Sequence, residues 1–292
     1  MKLFFLSVLS VLSVLLVSCM KAPKTPETCT FNEVSENYFG IQNNADSPGR
    51  GYNVFCKKVG VFGLWVYGTC EVNDDELLHA ANILAQYLDN DEDGLVDNQL
   101  VLDKMIEHKS ALTLFGTENS KRQRKFFRTN SGAYTAESAQ DLYGTETFPG
   151  WDKTLPFDAS LEEVLHLVTT TGYSLVYPEA FGEAQGSLIA NAMDLARGGN
   201  FTDIPSTYPS DAWYSYNDKT CDYRCQVSEY FYWSLTSLLG AQDFPGRYDQ
   251  ISDEWKANTP ALVESMDSAV YALLTDNQYK LPTVLPDGTY KQ

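Results

Sequence analysis

Polar and apolar positions divide the chain into a strand-patterned stretch and a longer helix-patterned one. Residues 54–68 are rich in Val, Phe, Trp and Tyr around a central Gly, which predicts one or two strands. Leu77, Leu78, Ala81, Leu84, Ala85 and Leu88 recur at three- and four-residue steps, which predicts an amphipathic helix over Asp74–Leu88. Short strands are expected at 110–115, 132–135 and 140–143. The basic run SKRQRKFFR between them reads as a solvated loop or edge strand, with docking of an acidic partner as the other reading. From Asp158 the pattern turns helical: Leu161, Val164, Leu165 and Val168 form one apolar face that Gly172 is expected to end. Further helices are expected near 183–197, 225–239 and 261–275. Strands first and helices afterwards imply an α+β class, a short mixed sheet with a preceding helix and then a mostly helical C-terminal half. The expected organisation is a single domain over 51–292, strand-rich over 51–157 and helical over 158–292.

The first residues have a different origin. Lys2 precedes an apolar run of 14 residues from Leu3 to Leu16, too short to span a bilayer as a stable helix and followed by small residues. Residues 1–18 therefore read as a signal peptide. Leu16-Val17-Ser18-Cys19 resembles a bacterial lipobox, which implies lipidation of Cys19; the other reading is an ordinary secretory signal in which Cys19 is incidental. Residues 19–50, with Pro23, Pro26, Asn43, Asn44 and Asp46, read as a tether and loop. The expected location is the cell envelope as a lipoprotein, or outside the cell if Cys19 carries no lipid. The only membrane contact this implies is a lipid anchor.

Export permits disulfides. Cys56 and Cys70 flank a hairpin-like segment, and Cys221 and Cys225 enclose a three-residue loop, so both pairs are plausible bridges. Cys29 is left over, and a Cys19–Cys29 bridge would balance the count if Cys19 is not lipidated. No CxxC pair is present, which argues against a zinc–thiolate site.

Hydrophobic residues at 43% and aromatics at 13% indicate a packed globular chain. With 39 acidic against 21 basic residues over 292 positions, the formal net charge is −18, which disfavours a nucleic-acid partner. Neither a GxSxG nucleophile frame nor a Gly-rich phosphate loop occurs.

Asp89, Asp91, Asp93 and Asp97 stand at positions 1, 3, 5 and 9 of a loop with Gly94 at position 6. This resembles the first nine positions of an EF-hand-type calcium loop, in which alternate side chains converge on one hard cation and Leu95 offers its carbonyl. The loop departs at position 12, where Leu100 replaces the bidentate Glu. An acidic solvated turn is the alternative, although five acidic groups in nine residues repel one another without a cation.

Glu162-Glu163-Val-Leu-His166 carries the main functional expectation. Glu162 and His166 are four residues apart on one helical face and can grip one metal ion. The segment resembles the HExxH helix of the zincin metallopeptidases with the first His replaced by Glu162. The resemblance to the gluzincin branch implies a third ligand, Glu229, from a later helix, with Glu163 as general base and a peptide or protein substrate. Tyr223, or another Tyr within 208–232, would then stabilise the oxyanion. Two carboxylates and one imidazole make a harder site than the usual zinc set, so manganese or iron compete with zinc.

Other accounts use the same residues. Ser160 and Glu163 fit a capping box, with His166 a satisfied buried histidine, on a non-catalytic, calcium-stabilised surface protein built on a degenerate zincin scaffold. The pairs Glu76-x-x-His79 and Glu163-x-x-His166 also resemble ferritin-like di-iron proteins, though the strands between them argue against a four-helix bundle. His79 reads as a residue on the flank of its helix, and His108 as a surface residue.

Overall fold

The computed structural model describes residues 39–47, 49, 51–130 and 138–291. The signal segment, Cys19, Cys29 and the expected strand at 132–135 lie outside the described residues.

Five strands form a mixed sheet in chain order: β1 (Ile41–Asn43), β2 (Lys57–Val61), β3 (Leu64–Gly68), β4 (Ala111–Phe115) and β5 (Ala139–Tyr143). β1–β2 and β2–β3 are antiparallel; β3–β4 and β4–β5 are parallel. β2 and β3 make a two-residue hairpin in which Phe62 and Gly63 both have positive φ, 48° and 91°, the backbone that a primed turn requires. Cys56 and Cys70 close its open end as a disulfide. The parallel β3–β4 connection contains α1 (Asp74–Leu88) and α2 (Gln99–Glu107), and β4–β5 contains α3 (Lys121–Asn130).

The two-residue period of the strands sorts their side chains onto two faces. Leu64, Val66, Leu112, Leu114 and Leu142 join the main core with α1 and α4 (Ser160–Val168). Tyr67, Ala111 and Phe115 face the other way and pack with Tyr52, Phe55 and Phe126 in a smaller aromatic core under α3. The remaining helices are α5 (Ser174–Val176), α6 (Pro178–Phe181), α7 (Leu188–Ala196), α8 (Tyr223–Leu238), α9 (Arg247–Ile251), α10 (Pro260–Met266) and α11 (Ser268–Leu274). The class is α+β, as the residue pattern indicates. None of these helices is long and apolar enough to cross a membrane, a statement confined to the described residues.

Several local expectations are corrected. The basic run is helical, not a loop or edge strand: Gln123 and Phe126, three residues apart, are both buried against the sheet side of α3. Their periodicity is masked by five cations in eight residues. Gly172 does not end α4, because a π-helical turn over Thr169–Tyr173 continues it into α5. Its role is close approach. A Cβ there would stand 2.7 Å from Val101 and 3.3 Å from Met105 on α2. Gly172→Ala is expected to cost about 1–3 kcal/mol of stability by overpacking, measured by urea unfolding. The helix expected over 261–275 breaks at Asp267, whose side chain caps α11 and accepts hydrogen bonds from Tyr230 and Trp213.

The polar face of α1 is buried too. Residues 279–291 form a strap along it, in which Gln86 accepts from the Asp287 and Gly288 amides, and Asn82 donates to the Gly288 carbonyl. Asn90, just beyond the helix, accepts from the Thr283 and Val284 amides. His79 is therefore not a flank residue. It is 5% exposed, its ring is covered by Gly288, and its Nε2 lies 2.6 Å from Oδ2 of Asp158.

Candidate metal centre

α4 is fixed at its N-terminus by Asp158, which is 1% exposed and accepts from the Ser160 and Phe148 amides while pairing with His79. The capping box expected from Ser160 and Glu163 is absent: Ser160 Oγ is buried without a hydrogen-bond partner, and Glu163 accepts from Gln140 Nε2 at 2.5 Å instead. Gln140 reaches it because it shares the α4 face of edge strand β5 with Leu142. Glu76, the first residue of the supposed second ExxH pair, accepts from the Asn73 amide as the capping-box residue of α1. Among the described residues, neither Glu76 nor His79 joins a group of three or more side chains that could share a metal ion, so the di-iron grouping is not assembled.

α8 approaches α4 from the other side. Asp222 caps it by accepting from the Cys225 amide, and the Cys221–Cys225 disulfide closes its first turn. Most of its residues are buried, and this core packing carries Glu229 to His166.

Glu162, His166 and Glu229 converge, with one ligand atom from each within 4.8 Å of the others. His166 Nε2 lies 3.9 Å from Glu162 Oε1 and 3.5 Å from Glu229 Oε1. His166 is 6% exposed, and its Nε2 has no hydrogen-bond partner. A buried polar nitrogen left without a partner is costly. The separations suit a shared ion, since two ligand atoms each about 2.1 Å from one metal lie about 3.4 Å apart at a tetrahedral angle. His166 Nδ1 contacts Ser228 Oγ at 3.0 Å, which orients the ring and leaves Nε2 directed at the carboxylates. The residue set fits a divalent metal.

The electrostatics show the same crowding. Burial alone would depress His166, but Glu229, Glu162 and Glu163 hold it well above the usual imidazole range. Burial, reinforced by Glu162 and Glu229, raises Glu163 to about 8 against the opposing pull of His166 and Gln140.

A cleft of about 250 Å³ opens on this group, walled by Gln140, His166, Glu183, Arg224, Ser228 and Glu229. Arg224 pairs with Glu183 across it. Residue spacing gave no access to Gln140 or Glu183, which come from distant segments, whereas Tyr216 lies within the 208–232 stretch expected to supply a tyrosine. Ser228 was adjacent to a named ligand and could have been found there. Tyr223 does not serve the cleft, because its hydroxyl donates to Asp194. Tyr216 is held neutral by burial and then by Glu229, Glu254 and Glu162, which places it among the acidic groups.

Glu146 and Glu254 are both raised to about 7, first by burial; Glu162 adds to each, and Glu229 to Glu254. A carboxyl whose folded value exceeds its unfolded one contributes stability below about pH 4.5 that is lost as pH rises through about 7. The chelator-treated protein is therefore expected to have a lower Tm at pH 8 than at pH 5, with Glu254→Gln flattening the slope. A Tm that rises over that interval would contradict the assignment.

The acidic loop is also assembled. Asp89, Asp91 and Asp93 bring ligand atoms within 4.8 Å of one another, and Gly94 turns at a φ of 88°. Asp89 is fully buried and accepts from the Asp93 and Gly94 amides and the Tyr290 hydroxyl. Asp97 accepts from the Asn90 amide, and Leu100, at position 12, is 61% exposed at the start of α2.

No protein-family model, curated protein or solved structure matches this chain.

Proposed function

We propose that this chain is an exported metal-dependent hydrolase, a zincin-like peptidase in which Glu162, His166 and Glu229 hold a divalent transition metal and Glu163 is the general base. One observation carries the reading: the unpartnered, buried Nε2 of His166 facing two carboxylates from separate helices. The two disulfides are compatible with export. The metal, when bound, supplies a Lewis acid and lowers the pKa of its water.

The protein's own groups divide the remaining work. Ser228 fixes the His166 ring, and Gln140, itself part of the cleft wall, holds the Glu163 carboxyl by donating to it. Glu163 takes a proton from the attacking water and returns it to the leaving amine. The test is hydrolysis of casein by the purified chain, its loss on chelation, and its return on adding zinc, manganese or iron. Casein left intact under every metal would overturn the reading.

The competing reading is a non-catalytic scaffold, favoured by one contact: Gln140 already occupies the Glu163 carboxylate. Under either reading we assign calcium to the loop of Asp89, Asp91, Asp93, Leu95 and Asp97 as a structural staple. Asp91→Ala is expected to remove the rise in Tm that millimolar calcium gives the parent protein. Equal calcium-induced shifts in both proteins would contradict the assignment.

A further inference from the structure

Helix α3 contributes no residue to the wall of the cleft and presents a separate charged face. Gln123 donates to Asp141 and to the Tyr143 hydroxyl, and Phe126 packs edge-on against Tyr52 and Phe55. These contacts anchor one face of the helix to the sheet. The opposite face presents Lys121, Arg124, Lys125 and Arg128, all exposed, at the i, i+3, i+4 and i+7 positions of one stripe. The helix contains no acidic residue, so the stripe has no intrahelical i,i+4 counter-charge. Lys121 also sits in the first turn, where the helix dipole disfavours a cation. Phe127 stands at the margin of the stripe, 40% exposed.

In a chain of net charge −18, these four cations within eight residues are a local exception: their i,i+3 and i,i+4 steps set like charges side by side, and only Arg128, in the last turn, suits the helix dipole. We propose that this face docks on an anionic phospholipid surface. Lipid phosphates can rearrange laterally to meet the stripe, and an aromatic side chain beside basic residues suits the headgroup boundary. The chain's acidic excess does not prevent this, because carboxylates farther than about 8 Å from the contact are screened at physiological salt. An apolar groove of about 320 Å³, walled by Trp65, Tyr67 and Ile106, adjoins the anchored side of α3 through Tyr52.

The test is co-sedimentation of the exported chain with phosphatidylcholine vesicles, with and without 30% phosphatidylglycerol. A lipid on Cys19 would contribute equally to both, so the ratio reports the helix. At roughly fivefold per cation in contact, the expected preference for phosphatidylglycerol is at least tenfold at 0.1 M NaCl. It should vanish at 0.5 M NaCl and in Lys121→Glu/Lys125→Glu, and persist in Lys153→Glu/Lys219→Glu, which makes the same charge change at exposed sites elsewhere. Circular dichroism of each variant separates lost binding from lost folding. Equal partition onto both vesicles, a preference unchanged by the α3 reversal, or binding to polyglutamate with no lipid preference would overturn the proposal.

Discussion

Glu163→Gln is expected to keep its metal and lose about 10²–10⁴-fold in casein hydrolysis. The substitution keeps the shape of the side chain and removes its capacity to accept a proton. Its carboxyl lies outside the ligand group of Glu162, His166 and Glu229, so metal content should not change. The measurement pairs elemental analysis with the rate at saturating metal. A variant as active as the parent would remove Glu163 from the mechanism. A variant that loses its metal would instead make Glu163 a ligand, so the paired readout separates the two failures.

The largest expected effect on stability lies at the other end of α4. Asp158→Ala should destabilise the fold by about 3–5 kcal/mol, because it leaves buried His79 without its partner. It also withdraws the acceptor for the Ser160 and Phe148 amides at the start of α4. Asp158→Asn, which retains an acceptor oxygen for those amides, should lose less. Urea unfolding checks both variants. A loss below 1 kcal/mol for Asp158→Ala would mean that the His79 contact does not hold α1 to α4.

Much of the fold could be read from local pattern. The limits of α1, the β2–β3 hairpin and both disulfides follow from spacings within 15 residues, where periodicity and loop closure suffice. Glu162 and His166 were legible for the same reason, as a four-residue step on one helix. Glu229 was legible because an acidic side chain in the apolar helix α8 calls for a partner. The Asp158–His79 pair was not, since 79 residues separate its members and neither residue type announces the other. The polar stripe of α1 looked solvent-facing because nothing in Asn82, Gln86 or Asn90 reveals a strap 193 to 206 residues later. The same blindness to tertiary context made Gly172 read as a helix stop when its missing side chain admits Val101. Ser160 and Glu163 satisfied the spacing of a capping box, yet Asp158 and Gln140 engaged the groups that the box would use.

The metal centre proposed at His166 is tested most directly by elemental analysis of the disulfide-bonded chain, purified without chelator, beside His166→Ala and Asp91→Ala. The expected result is one equivalent of a transition metal that disappears only in His166→Ala, together with calcium that disappears only in Asp91→Ala. Calcium alone, with no transition metal in the parent protein even after incubation with zinc, manganese or iron, would contradict the account and leave the Glu-Glu-x-x-His helix a structural element.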